Sequence, residues 1–166
     1  LAVGFPPVDA RDQLFAHFAA DRTAREQVLG AVDFRGFGQY RGATGRYQAI
    51  QWVMFQVGGV GPMLGQAHHF RIYAPEKIEY AVDRYTNEAR RLYGVMNKQL
   101  ENHKYIAGNQ YTIADIAIFP WVRNLVGFYG AGELVEFERF PQVQRALAAF
   151  VERPAVQRGL DIPARG

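Results

Sequence analysis

The chain has 166 residues, 49% apolar and 21% charged, with 19 Lys+Arg against 16 Asp+Glu and a net charge of +3. This is a globular composition, long enough to bury one core and unlike that of a disordered chain. It contains neither cysteine nor serine, which excludes a disulfide scaffold, a thiolate metal site, an iron–sulfur cluster, and a cysteine or serine nucleophile.

The opening, Leu1-Ala2-Val3-Gly4-Phe5, has no basic flank and runs at once into Pro6-Pro7, so it is too short for a signal-peptide core. The first residue is Leu rather than Met, and the expectation is a processed chain or a fragment. Asp9 can cap a helix reaching about Leu29, with Leu14, Phe15 and Phe18 on its apolar face. Gly30, Gly36, Gly38, Gly42 and Gly45 then predict a loop.

From Tyr47 the pattern is helical: Tyr47, Ile50, Val53, Met54 and Val57 recur at the three- and four-residue steps that share one face. Gly58-Gly59, Gly61-Pro62 and Gly65 predict a kink, or an end and a restart, before Gln66–Phe70 resumes a helical reading. Ala74-Pro75-Glu76 marks a fresh start, with proline in a first turn and an acid at the positive helix end. The helix it opens, Glu76 to Glu101, has the best pattern in the chain: Ile78, Val82, Tyr85, Ala89, Leu92, Met96 and Leu100 share a stripe.

After the Gly108-Asn109 turn, Thr112 and Asp115 form a capping box: the hydroxyl accepts from the Asp115 amide and the carboxylate reaches back to the Thr112 amide. The run Ile116–Val122 is apolar on all sides, which predicts a buried central helix bent at Pro120. Pro141 and Pro154 open two further helices. No segment alternates with period two for long enough to be a strand, so the fold class is an all-α helical bundle.

The candidate sites are few. His68-His69 are adjacent, about 100° apart on a helix, so they cannot chelate as an i,i+4 pair, and no metal site is expected. Glu133, Glu136 and Glu138 read as a solvated acidic face. The glycine-rich stretches have neither a Walker lysine nor a preceding strand, so no nucleotide loop is supported. No catalytic residue is assigned. The basic residues are spread out, Arg90-Arg91 being the densest pair, so no nucleic-acid partner is expected. No apolar run reaches the roughly 18–20 residues of a spanning helix, so no membrane is expected either. Arg84 forms a polar and aromatic patch with Tyr80, Asp83 and Tyr85. It has two readings: a guanidinium fork for an anionic ligand, or an ion pair with Glu88 at i+4 on a wet surface.

Four stretches carry a resemblance: Gln51–Phe70 (QWVMFQVGGVGPMLGQAHHF), Arg84–Tyr93 (RYTNEARRLY), Tyr111–Ala117 (YTIADIA) and Arg153–Val156 (RPAV). With them, residues 46–160 resemble the C-terminal helical domain of bacterial nu-class glutathione transferases, which include glutathione-dependent disulfide-bond oxidoreductases. The first stretch is long and specific to that class; the third is a capping box shared across glutathione transferases. The resemblance implies the glutathione transferase C-terminal fold over residues 46–166, with residues 1–45 an unplaced segment. It implies a cytoplasmic homodimer whose dimer-forming pair is the helix of Tyr47–Val57 and that of Glu76–Glu101. It implies glutathione as co-substrate, a small electrophile or disulfide as second substrate, and Arg84 near bound glutathione.

In that family a thioredoxin-like domain precedes the helical one, binds the glutathione backbone and activates the thiol. Residues 1–45 are too short for it and show no βαβ pattern. The expectation is therefore a truncated chain that is inactive alone. A non-catalytic interaction module and a non-functional fragment stand beside it.

Overall fold

The computed structural model describes residues 43–160 and 162. The helix expected at Asp9–Leu29 and most of the glycine-rich loop lie outside the described residues. The described part is helical as expected: α1 (Ala43–Phe55), α2 (Gly61–His68), α3 (Glu79–Glu101), α4 (Ile113–Arg123), α5 (Pro141–Val151) and α6 (Pro154–Leu160). Among the described residues there is no strand, only a bridge between Tyr105 and Gly108 that closes a turn, with Gly108 at φ +130°. Residues 43–152 belong to one compact unit, of which α6 is not a part.

The expected break between α1 and α2 is a change of winding instead. Gln56–Val60 forms a π turn, and the Gly61 amide donates to the Gln56 carbonyl five residues back. The backbone stays right-handed helical through Gly61. Pro62 therefore falls in the first turn of α2, where its missing amide costs little. A second π turn, His69–Tyr73, ends the run. Two glycines in it sit where a side chain would crowd a neighbour. A β-carbon on Gly59 would stand 3.3 Å from Leu92 Cδ2, and one on Gly61 would stand 2.7 Å from Gln56 Nε2 and 3.4 Å from the Trp121 ring. The absence of these carbons lets α2 lie close along α3 while the π turn before it lies against α4.

α3 starts three residues later than its pattern suggested. Residues 74–78 are irregular, and Ile78, in an extended conformation, is the N-cap residue. Pro75 thus precedes the helix rather than opening it. The rest of the stripe behaves as read: Ala89, Leu92, Met96 and Leu100 are buried. α3 and α5 pack together and cap one another. Asn97 Oδ1 accepts from the Gln142 amide at 2.9 Å, supplying a cap that α5 lacks of its own. Arg145 Nη2 donates to the carbonyls of Leu100 at 2.9 Å and His103 at 3.1 Å, satisfying acceptors around the end of α3.

α4 is central, packed on α1, α2 and α5. Ile118, Phe119 and Val122 are buried, and Phe119 stands 5.6 Å from the Phe150 ring of α5. The helix is not buried all round: Ile113, Pro120 and Trp121 keep one side open, Trp121 with 37% of its surface exposed. An all-apolar sequence shows what a helix can bury, not what covers it in these residues.

The N-terminus of α4 holds the most constrained polar group. Asp115 is 1% exposed. Its Oδ2 accepts from the Thr112 amide at 2.8 Å and the Thr112 hydroxyl at 3.2 Å, and its Oδ1 from the Ile106 amide at 2.9 Å. Thr112 Oγ1 accepts from the Ala114 amide at 3.1 Å, and the reciprocal capping box is closed. The bond to Ile106 extends the box beyond its usual reach, tying the loop before α4 to the helix start. Burial pushes the Asp115 carboxyl above its usual range, against the downward pull of those hydrogen bonds.

Two expectations follow. Gly61→Val should destabilise the fold by roughly 1–3 kcal/mol, because the side chain must displace Gln56 or the Trp121 ring; a thermal midpoint equal to wild type would show that both neighbours yield freely. Asp115→Ala should cost roughly 2–4 kcal/mol, for a lost cap and buried amides left unpaired. That cost should also vary with pH. The folded carboxyl holds its proton to higher pH than the unfolded one, whose pKa is about 3.9. The folded state thus binds more protons in that window, and the Asp115 contribution falls as pH rises through it. Urea titrations from acid to neutral pH should show the difference between wild type and variant largest on the acid side.

Candidate functional site

The polar groups of α3 separate by partner. Arg91 forks onto Glu88, Nε to Oε2 at 2.8 Å and Nη2 to Oε1 at 2.7 Å. Both oxygens of Glu88 are therefore engaged by the residue three positions on, and the guanidinium beside it holds its carboxyl below the usual range. Arg84, four positions before Glu88, acts on it only through charge. The exposed Arg84 side chain makes no hydrogen bond or ion pair among the described residues. The i+4 ion pair that was one of its two readings is not formed.

The patch expected around Arg84 is only partly assembled. Tyr80, Asp83, Arg84 and Asn87 are exposed on one side of α3. Tyr85 turns away from them and stacks on Phe70, with ring centroids 5.4 Å apart and planes 8° apart. Tyr85 therefore belongs to the packing between α3 and the π turn after α2.

The helix α1 and the π turn after it present a second surface. Tyr47, Met54 and Val57 are 67%, 60% and 56% exposed, and Ile50 lies on the same stripe. The inward side of α1 is carried by Ala49 and Trp52. Of the five positions the periodicity grouped, these four are open to solvent and Val53 is half-buried. Large side chains at helical spacing on an open face form a contiguous apolar surface of the kind that marks an interface.

The histidines have separate surroundings. His68 Nδ1 lies 3.3 Å from the Leu64 carbonyl oxygen, and its ring stacks on Tyr129 at 4.1 Å. His69 meets Phe70 edge to face at 5.1 Å. Arg71 Nη1 donates to the Tyr129 carbonyl at 2.6 Å, so the ends of two π turns, His69–Tyr73 and Asn124–Phe128, are held together. No three His, Asp or Glu side chains are gathered as a metal site among the described residues. No described helix is long and apolar enough to cross a membrane.

The acidic trio is not uniform. Glu133 and Glu138 are exposed, as a solvated face would be. Glu136 is an ionic node: it pairs with Arg90 at 3.1 Å and with Arg139, and these cations hold its carboxyl below the usual range. Its backbone is left-handed, φ 52° and ψ 48°, which only a tight loop would impose on a glutamate. The sequence signal for this node was the run of charges alone, and it did not distinguish Glu136 from its neighbours.

Thr112 and Asp115 are structural. Both are buried at the start of α4 and satisfied within the capping box, so they offer nothing to a ligand.

Comparison with known proteins places this geometry. The family model for the glutathione S-transferase C-terminal domain matches residues 60–154. The disulfide-bond oxidoreductase YghU of Escherichia coli is 48% identical over 117 residues, covering 69% of this chain and 40% of that protein. The disulfide-bond oxidoreductase YfcG of the same organism is 43% identical over 115 residues, covering 69% of this chain and 51% of that protein. A glutathione transferase from Burkholderia graminis, solved with two glutathione molecules bound per subunit, superposes with a TM-score of 0.75 at 58% identity. That superposition covers 80% of this chain and 57% of the solved one. The chain thus spans about half the length of the relatives it matches. The helical core, the capping box and the matched residues together make the chain a member of the glutathione S-transferase family, in its C-terminal helical domain.

Proposed function

We propose that this chain is the helical half of a glutathione-dependent enzyme, one that conjugates glutathione to an electrophile or uses it to reduce a disulfide. The observation that carries the reading is Arg84, a guanidinium on the open side of α3 whose candidate i+4 partner, Glu88, is already held by Arg91. Glutathione is a flexible anion with two carboxylates, and a free guanidinium can grip one of them through two parallel hydrogen bonds. The solved relative from Burkholderia graminis binds glutathione, and two relatives are named as disulfide-bond oxidoreductases. In this reading the thiol chemistry belongs to a thioredoxin-like domain, and the helical domain shapes the second-substrate side.

The working form is a homodimer in the cytoplasm, where the glutathione pool is kept reduced. The open apolar stripe of Tyr47, Ile50, Met54 and Val57, with the outer side of α3, is the surface such a dimer would cover.

The 166-residue chain alone should show no turnover with a generic electrophile or a disulfide substrate above the rate of glutathione in buffer; clear turnover would overturn the division of labour between the two domains. The Arg84 contact can be tested in residues 46–160 joined to a nu-class thioredoxin-like domain. A charge-assisted contact of this kind contributes about 1.5–3 kcal/mol. Calorimetric titration should therefore find glutathione bound about tenfold or more weakly by Arg84→Ala, and Arg84→Lys should recover only part, since it keeps the charge and loses the fork. Equal affinities in folded proteins would remove Arg84 from the site.

A further inference from the structure

Two acceptor side chains lie one turn ahead of Arg84, and each is taken by an arginine three positions further on. On a helix the neighbours of a side chain stand three and four positions away. For Arg84 these are Tyr80, Ala81, Asn87 and Glu88, and Glu88 is the one acid among them. Asp83, adjacent in the chain, is about 100° away around the helix and cannot face Arg84 as an i+4 partner does. Asn87 Oδ1 accepts from Arg90 Nη1 at 3.0 Å. Glu88 accepts at both oxygens from Arg91, at 2.8 and 2.7 Å. The Arg90-Arg91 pair thus engages the acceptors on the side of α3 that Arg84 shares.

The fork on Glu88 is the stronger of these contacts. A carboxylate gripped through both oxygens by a planar guanidinium has its charge matched and its lone pairs turned away from other donors. Glu88 is half-buried and Arg91 exposed, so the pair is a surface pair and adds little to the stability of the fold. Arg91 holds the Glu88 carboxyl below its usual range, so the group is ionised at neutral pH, and the charge of Arg84 acts on it as well. Without Arg91, an ionised carboxylate stands one turn from Arg84 with its charge unmatched by the fork. It then opposes an incoming anion in two ways: by pairing with the guanidinium at i+4, and by repelling the anion directly.

On the reading of Arg84 as a glutathione contact, we propose that Arg91 is a positioning residue of that site: its fork on Glu88 keeps the Arg84 guanidinium for a carboxylate of the tripeptide. Arg91 touches no ligand in this arrangement. It acts by removing a competitor, and its effect has the size of one exposed charge about a turn away. In water at moderate salt such a charge changes affinity roughly twofold to threefold.

The test is an NMR titration of reduced glutathione into the 166-residue chain at neutral pH and fixed ionic strength, following the Arg84 Nε–H signal. Arg91→Ala should weaken the binding read there by about twofold to threefold. Glu88→Gln added to Arg91→Ala should restore the wild-type affinity, because the competing charge has gone although the fork is still missing. A double variant as weak as Arg91→Ala would show that the fork serves only the structure of the helix, and the proposal would fall. Wild-type affinity in Arg91→Ala would overturn it too, while leaving Arg84 as a glutathione contact. An Arg84 signal that does not respond to glutathione in the wild-type chain would remove the contact itself, and the role of Arg91 with it.

Discussion

The buried carboxylate of Asp115 is the constraint on which the rest of the fold rests. It sits where the central helix begins, almost without contact with solvent, and it binds that helix start and the preceding loop at once. Burying a charge is costly, and the upward push on its pKa reports that cost. The return is that the amides of Ile106 and Thr112 are both satisfied in a place water cannot reach. With the start of α4 placed, Ile118, Phe119 and Val122 are presented to the helices around them. A loop anchored only by its apolar residues could shift by a residue, and every one of those side chains would then face a different neighbour.

The second constraint is close approach. The π turn at Gln56–Val60 lets one long helical run change its facing without breaking, and the two glycines within and after it remove the carbons that would hold α2 away from its neighbours. Trp121 illustrates the outcome: its ring meets Gly61 and Gly65 on one side and stays partly open on the other. The same residue thus finishes the interior and begins the exposed apolar side of the domain.

Much of this was legible in the sequence, and the parts that were not share a cause. The capping box, the stripe of α3 and the all-helical character of the described residues follow from spacing and local chemistry, which a single chain carries in full. The start of α3 did not, because Pro75 is as compatible with the residues before a helix as with its first turn, and Ile78 in extended conformation decided between them. The winding at Gln56–Val60 did not, because Gly58-Gly59 and Pro62 signal a disturbance without saying that five-residue hydrogen bonds will absorb it. The openness of one side of α4 and of the Tyr47 stripe did not, because periodicity identifies a face and not its cover. The node at Glu136 did not, because its partner Arg90 comes from 46 positions earlier, and nothing local connects them.

The fate of the arginines on α3 was decided by a competition that the sequence did contain. Glu88 has a base four positions before it and another three positions after it. On a helix an acid N-terminal to its base is the better arrangement, because each charge then lies nearer the end of the helix dipole that favours it. Arg91 meets that condition and Arg84 does not, and Arg91 takes both oxygens. Arg90, one position earlier, points to another side of the helix and is spent on Leu134 and Glu136. The three arginines therefore have three roles set by angle and order along one helix: one locks a loop, one closes a surface pair, and one makes no hydrogen bond among the described residues. Among the described residues Arg84 is thus set apart by the partners its neighbours have taken, Glu88 by Arg91 and Glu136 by Arg90.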